Sequence, residues 1–122
     1  MRTLARSTIN RFRRTLRDER SRLEELLAEL EAEQERARVA ETAAERSPDP
    51  NSAEGGSIVF EYEKEFSVAR NARDLLAKVQ NAERRLEKGK YGVCEVCGDP
   101  IPMARLEALP YVTTCVRCAR RV

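Results

Sequence analysis

The chain has 122 residues, 36% of them charged and 5% aromatic, with no Trp and no His. That balance suits long, exposed helices, and it leaves too little apolar material to wall a metabolite-sized pocket. A net charge of +2 hides an uneven distribution: eight arginines oppose Asp18 and Glu19 over residues 1–22, giving +6, while three arginines oppose eight glutamates over 23–46, giving −5.

The first 17 residues are Arg-rich and carry no acid, as in a mitochondrial presequence. Their apolar register nevertheless runs unbroken past residue 17, whereas a presequence should end at a processing boundary. Ile9, Leu16, Leu23, Leu30, Ala37 and Ala44 fall seven apart. Phe12, Leu26 and Ala40 lie three positions further on, with Glu19 and Glu33 interrupting that second row. A seam of this period, with no Gly or Pro before Pro48, predicts a helix over about 3–46. The stripe is narrow, so the helix needs a partner.

Residues 47–57 (SPDPNSAEGGS) hold two prolines, two glycines and three serines and predict a turn. A second helix is expected over about 58–88, with Val68, Ala72, Leu75, Val79, Ala82 and Leu86 at steps of four and three. Val59, Tyr62 and Phe66 add bulk near the turn, and with Phe60 these aromatics read as packing at its neck. The acids Glu61, Glu63 and Glu65 read as solvated surface. Gly89, flanked by Lys88 and Lys90, closes this helix. Two long helices joined by a short turn pack as an antiparallel hairpin, so residues 1–88 form one expected element. No apolar run approaches the roughly 18 residues of a membrane span.

Residues 89–122 carry every cysteine of the chain: Cys94, Cys97, Cys115 and Cys118, spaced C-x2-C-x17-C-x2-C. Two residues between paired cysteines let both sulfurs of a tight turn face one ion, and the second pair completes a tetrahedron. Gly92 precedes the first pair, and Gly98, Pro100 and Pro102 come after it. Four thiolates leave zinc no open position, so one Zn2+ is expected in a structural role, in a segment too small to bury a core of its own. Two disulfides, or a redox Cys-x-x-Cys, are the alternatives. Tyr91 and Tyr111 are expected to cover this module. The fold class is therefore mainly α, a coiled-coil hairpin with a small four-cysteine zinc-finger module. Without a histidine, an open metal position or a nucleophile beside a base, no enzyme is expected.

Tyr91-Gly92-Val93-Cys94-Glu95-Val96-Cys97-Gly98, then Ile101 and Arg105-Leu106-Glu107-Ala108-x-Pro110 before the second pair, resembles the DksA/TraR family of bacterial transcription factors. Pro48-Asp49-Pro50, Glu65-Phe66-Ser67 and the group Arg70, Asn71, Arg73 and Asp74 extend the likeness. The resemblance implies a cytoplasmic regulator of initiation that inserts its hairpin tip into the secondary channel of RNA polymerase. It places Asp49, Ser52 and Glu54 at the polymerase-contacting tip and Arg73, Lys78 and Arg105 at rim contacts. Two departures bear on that. Ser52 replaces the second tip aspartate of the best-studied members, and Glu54 replaces an alanine. Leu75 and Ala82 stand where some members have arginine and lysine, so dependence on the alarmone ppGpp is not expected. An adaptor that shares the fold but engages another protein is the rival reading. A DNA-binding zinc finger, with Arg117, Arg120 and Arg121 on phosphates, is a further one. Sequence-specific DNA binding is not expected, nor is membrane association.

Overall fold

In a computed structural model, the described residues are 3–43 and 53–121, and over 53–66 the helical backbone alone is described. Four helices occur in order: α1 over Arg6–Ala43, α2 over Ala53–Glu87, α3 over Met103–Ala108 and α4 over Val116–Ala119. There is no strand among the described residues, only an isolated antiparallel bridge between Val93 and Pro100. No described helix is long and apolar enough to cross a membrane.

The second helix begins at Ala53, five residues before the expected start. Gly55 and Gly56 therefore lie inside it, although glycine costs a helix interior about 1 kcal/mol relative to alanine. Local propensity pointed to a turn there, and the long helix overrode it. Asp49 and Ser52 lie outside the described residues, as does the side chain of Glu54.

The chain divides into two compact units. The first joins Met1–Arg22 to Leu75–Val122, so the arginine-rich start and the last turns of α2 belong with the cysteine module. The expected boundary at 88/89 falls inside this unit. Phe12, Leu16, Val79, Ala82 and Leu86 are buried in it on the α1 and α2 periodicities, with Ile9 and Leu75 of the same rows half-buried, and Tyr91, Ile101 and Leu106 are buried beyond α2. Arg13 pairs with Glu87 at 3.3 Å and Arg20 with Glu83 at 2.9 Å. Partner numbers that fall as α1 numbers rise define an antiparallel pair.

The second unit, Leu23–Asp74, is thinner. Its buried apolar residues, among those described, are Leu23, Leu27, Leu30, Ala69 and Ala72. Leu27 takes the place expected of Leu26, which is half-buried, and Ala69 that of Val68, which is 41% exposed. In each case adjacent apolar residues compete for one stripe, and a 100° step between neighbours turns one of them outward. Past Leu30 the seam lapses. Ala37 and Ala40 are exposed, and of α1 side chains 31–43 only Gln34 is half-buried.

Candidate metal centre

The module starts where α2 stops. Gly89 has φ +73°, its N–H donates to the Leu86 carbonyl at 3.1 Å, and the Lys90 N–H donates to the Arg85 carbonyl at 2.8 Å. This paired pattern is the Schellman helix end, which needs a left-handed residue at that place. A Cβ at Gly89 would meet nothing within 4 Å, so the backbone angle and not space selects glycine. Arg85 then reaches past the helix end, donating from Nη2 to the carbonyls of Val93 at 2.8 Å and Lys90 at 3.3 Å. Its Nη1 lies 4.0 Å from Glu95. The first knuckle is thus tied directly to the last turn of α2.

Within that knuckle, the Cys94 N–H donates to the Asp99 carbonyl at 2.8 Å and the Gly98 N–H to the Cys94 carbonyl at 3.0 Å. Gly98 holds φ +79° with open space where a Cβ would sit, a second position that favours glycine by angle. The two knuckles are linked by the Glu95 N–H on the Thr113 carbonyl at 2.8 Å. The Thr113 hydroxyl returns a bond to Glu95 Oε1 at 2.9 Å. Between the knuckles α3 buries Leu106 completely, and Ile101 ahead of it is equally buried.

These loops bring the four sulfurs to within 4.8 Å of one another. Cys97 Sγ and Cys115 Sγ are 3.7 Å apart. A tetrahedron with metal–sulfur bonds of about 2.3 Å has edges of about 3.8 Å, so the spacing is that of four ligands on one zinc. A disulfide would need about 2.05 Å, and all four cysteines are free. Burial pushes the Cys94 thiol up, but N–H groups of Cys97, Cys115 and Val96 aimed at its sulfur outweigh this and hold it at about 6. Burial and the neighbouring thiols push Cys118 up to about 12. Four sulfurs this close cannot all ionise alone, and a dication resolves the conflict. Cys94 and Cys118 are buried, Cys115 half-buried and Cys97 exposed. Arg117, 3.0 Å from Asp99, also sits beside Cys97.

Around the site, α1 supplies parts that no local motif announces. The Tyr91 ring is buried against Phe12, with centroids 5.3 Å apart, and its hydroxyl donates to the Pro110 carbonyl at 2.7 Å. Burial pushes this phenol up. Tyr91 thus covers the module as expected, while Tyr111 is half-buried. Arg11 stacks 4.8 Å from the Phe12 centroid and pairs with Glu107 at 2.9 Å.

Of the expected rim residues, Arg105 donates from Nε to the Thr114 carbonyl at 3.1 Å. Glu107 is held by Arg11, and Glu95 by Thr113 and Arg85. The hydrogen-bond partner of Arg105 is thus a backbone carbonyl and neither of these glutamates. Lys78 is exposed beside Asn81, Tyr111 and Thr113 in a shallow hollow of the first unit. Arg73 is exposed in the second unit.

Known proteins carry the same design. The family model for the prokaryotic dksA/traR C4-type zinc finger matches residues 89–122. An uncharacterized protein of Aquifex aeolicus is 33% identical over 101 residues, which is 82% of this chain and 70% of that one. The RNA polymerase-binding transcription factor DksA of Caulobacter vibrioides is 49% identical over 49 residues. That match takes in 40% of this chain and 34% of the factor, so the chain spans only about a third of the named relative's length. The structure of transcription factor DksA2 from Pseudomonas aeruginosa superposes with a TM-score of 0.70 at 28% identity, covering 95% of this chain and 83% of that one. With four sulfurs set for one structural zinc and an antiparallel helix pair leading into them, the chain belongs to the DksA/TraR family of C4-type zinc-finger proteins.

Proposed function

We propose that this chain is a bacterial regulator that binds RNA polymerase in the cytoplasm and modulates initiation by placing the 47–57 tip in the secondary channel. The observation that carries the reading is the zinc module, whose residues 89–122 match the dksA/traR zinc-finger model, together with the 49-residue likeness to a named polymerase-binding factor. The α2–knuckle junction, closed by Gly89 and Arg85, ties the zinc module to the last turn of α2.

In this reading Asp49 and Glu54 bring carboxylates to a cation-rich catalytic centre, with Ser52 between them as a neutral hydrogen-bonding group. Arg73 and Lys78, both exposed, meet acidic groups at the channel rim. Arg105 has Nε committed to Thr114, so its rim contact runs through its terminal nitrogens. Its fixed guanidinium is an advantage there, because less conformational freedom is lost on binding.

The test is binding of zinc-loaded protein to bacterial core RNA polymerase, in competition with an established secondary-channel factor. Displacement by the competitor is the expected result, and absence of binding at moderate salt overturns the proposal. Asp49→Asn should then change the effect on transcription while binding persists. The replacement of an aspartate by Ser52 favours one rival, an adaptor that keeps the fold and engages another protein. Binding that the competitor leaves untouched would select that rival.

A further inference from the structure

The two knuckles face each other in a regular ladder. Glu95 meets Thr113, Cys97 meets Cys115 and Asp99 meets Arg117, each pair 18 residues apart and each rung two residues beyond the last. The Thr113 hydroxyl donates to Glu95 Oε1 at 2.9 Å, the two sulfurs lie 3.7 Å apart, and Arg117 Nη2 donates to Asp99 Oδ2 at 3.0 Å. The middle rung thus consists of two of the four ligands, with a polar tie on either side.

The third rung is a poor source of stability. Both side chains are 63% exposed, and an ion pair so solvated contributes little. What the rung does fix is place. The Asp99 carbonyl accepts the Cys94 N–H at 2.8 Å, so the carboxylate stands on backbone tied to the first ligand. Arg117 lies in α4, between Cys115 and Cys118. Its guanidinium also bonds the Cys97 sulfur, and that contact, with Asp99 next, makes it hold its proton more firmly than usual. Cys97 is the exposed member of the four cysteines. The cation therefore sits on the corner of the centre most open to solvent.

We infer that Arg117 is a counter-charge for the zinc centre: aimed by Asp99, its guanidinium caps the Cys97 thiolate and raises the affinity of the four-cysteine site for its metal. Four thiolates outweigh the two charges of Zn2+, so a loaded centre is an anion, and a fixed cation beside it favours that state. Donors that hydrogen-bond to metal ligands set ligand orientation and metal affinity without touching the ion. A guanidinium suits the place, because it keeps its charge at any working pH and offers separate N–H groups to sulfur and carboxylate. Asp99 is the positioning residue. It holds the arginine but adds negative charge of its own, so its part is the smaller one. The inference concerns the metal alone and stands whether or not the chain binds polymerase.

The experiment is a zinc competition titration of the full chain against a chelating dye, with circular dichroism and zinc content as controls of folding. Arg117→Gln should lower zinc affinity about tenfold, the low end of what loss of such a partner costs, since the site is exposed. Arg117→Lys keeps the charge without the fork and should recover part of that loss. Asp99→Asn should stay within about twofold of the wild-type chain, because it loosens a solvated pair while leaving the cation in place. The Co2+-loaded chain gives a second readout. Removing a hydrogen bond from a coordinated thiolate makes its sulfur a better electron donor, so Arg117→Gln should move the thiolate-to-cobalt charge-transfer band to lower energy. The d–d bands of the tetrahedral site should stay where they are. An unchanged zinc affinity in Arg117→Gln, or an unshifted charge-transfer band, overturns the inference. So do equal losses in Arg117→Gln and Asp99→Asn, because the rung would then serve only to tie the knuckles. Arg117→Lys as weak as Arg117→Gln also overturns it, since charge would have no part.

Discussion

The two compact units are built from the same two helices but held by different means. In the first, contacts between distant parts of the chain are specific: Phe12 on Tyr91, Arg11 on Glu107, Arg85 on the Val93 carbonyl and four sulfurs converging on one point. In the second, burial among the described residues rests on three leucines and two alanines, and the pairing of Arg38 with Glu35 is local to one helix. Metal and directional bonds compensate for small size, because a segment of a few dozen residues buries too little apolar area to stand alone. Where the helix pair has only a narrow seam, period and shape must suffice, and the seam lapses once alanine replaces leucine.

Removing the metal should break this contrast most severely. Chelation, or Cys94→Ser, is expected to release the residues between Cys94 and Cys118 to proteolysis while most of the helical circular dichroism remains. Structural zinc contributes on the order of 10 kcal/mol of apparent folding free energy in small modules. Acid should act in the same direction, because protons compete with zinc for the sulfurs, and retention of metal against a chelator should fall as pH falls.

Core truncation should sharpen the contrast next. Leu16, 1% exposed in the first unit, is expected to cost about 3–4 kcal/mol on Leu16→Ala, measured by denaturant unfolding. Leu27→Ala in the second unit, where the residue is 8% exposed and the buried α2 residues of that unit are alanines, should fall nearer about 2 kcal/mol. Equal losses would mean that both units share one cooperative core.

Three substitutions should have smaller effects. Tyr91→Phe leaves the ring on Phe12 but strips the Pro110 carbonyl of its donor, for a loss of roughly 1 kcal/mol in zinc-loaded protein. Gly89→Ala forces a Cβ into a left-handed angle, at about 1 kcal/mol, and should appear as fraying of the last α2 turn in hydrogen exchange. Arg38→Ala should change stability too little to measure, since the Arg38–Glu35 pair is fully solvated.

Much of this was legible from residue order. The cysteine spacing forced the ligand set, and the seven-residue row of Ile9, Leu16, Leu23 and Leu30 forced a long first helix. Sequence reading failed where neighbours compete. Val68 is the more apolar residue, yet Ala69 is the buried one, because a seam between close helices selects for fit as well as hydrophobicity. Gly55 and Gly56 misled for the same kind of reason, since propensity is local and the helix is not. The partners of Arg11, Arg13 and Arg105 were beyond reach. Each joins segments that only the folded chain brings together, and an arginine on a helix surface carries no mark of its acceptor.

The junction at Gly89 has a practical consequence for anyone cutting this protein into pieces. The family match begins at residue 89, which invites excision of a 34-residue finger. That cut would remove Arg85 from the Val93 carbonyl, Leu86 from the helix end and Phe12 from the face of Tyr91. The finger is better regarded as a dependent part whose smallest self-sufficient piece includes the last turns of α2 and a strip of α1. Grafted onto another scaffold without them, it should hold its metal more loosely than the intact chain does.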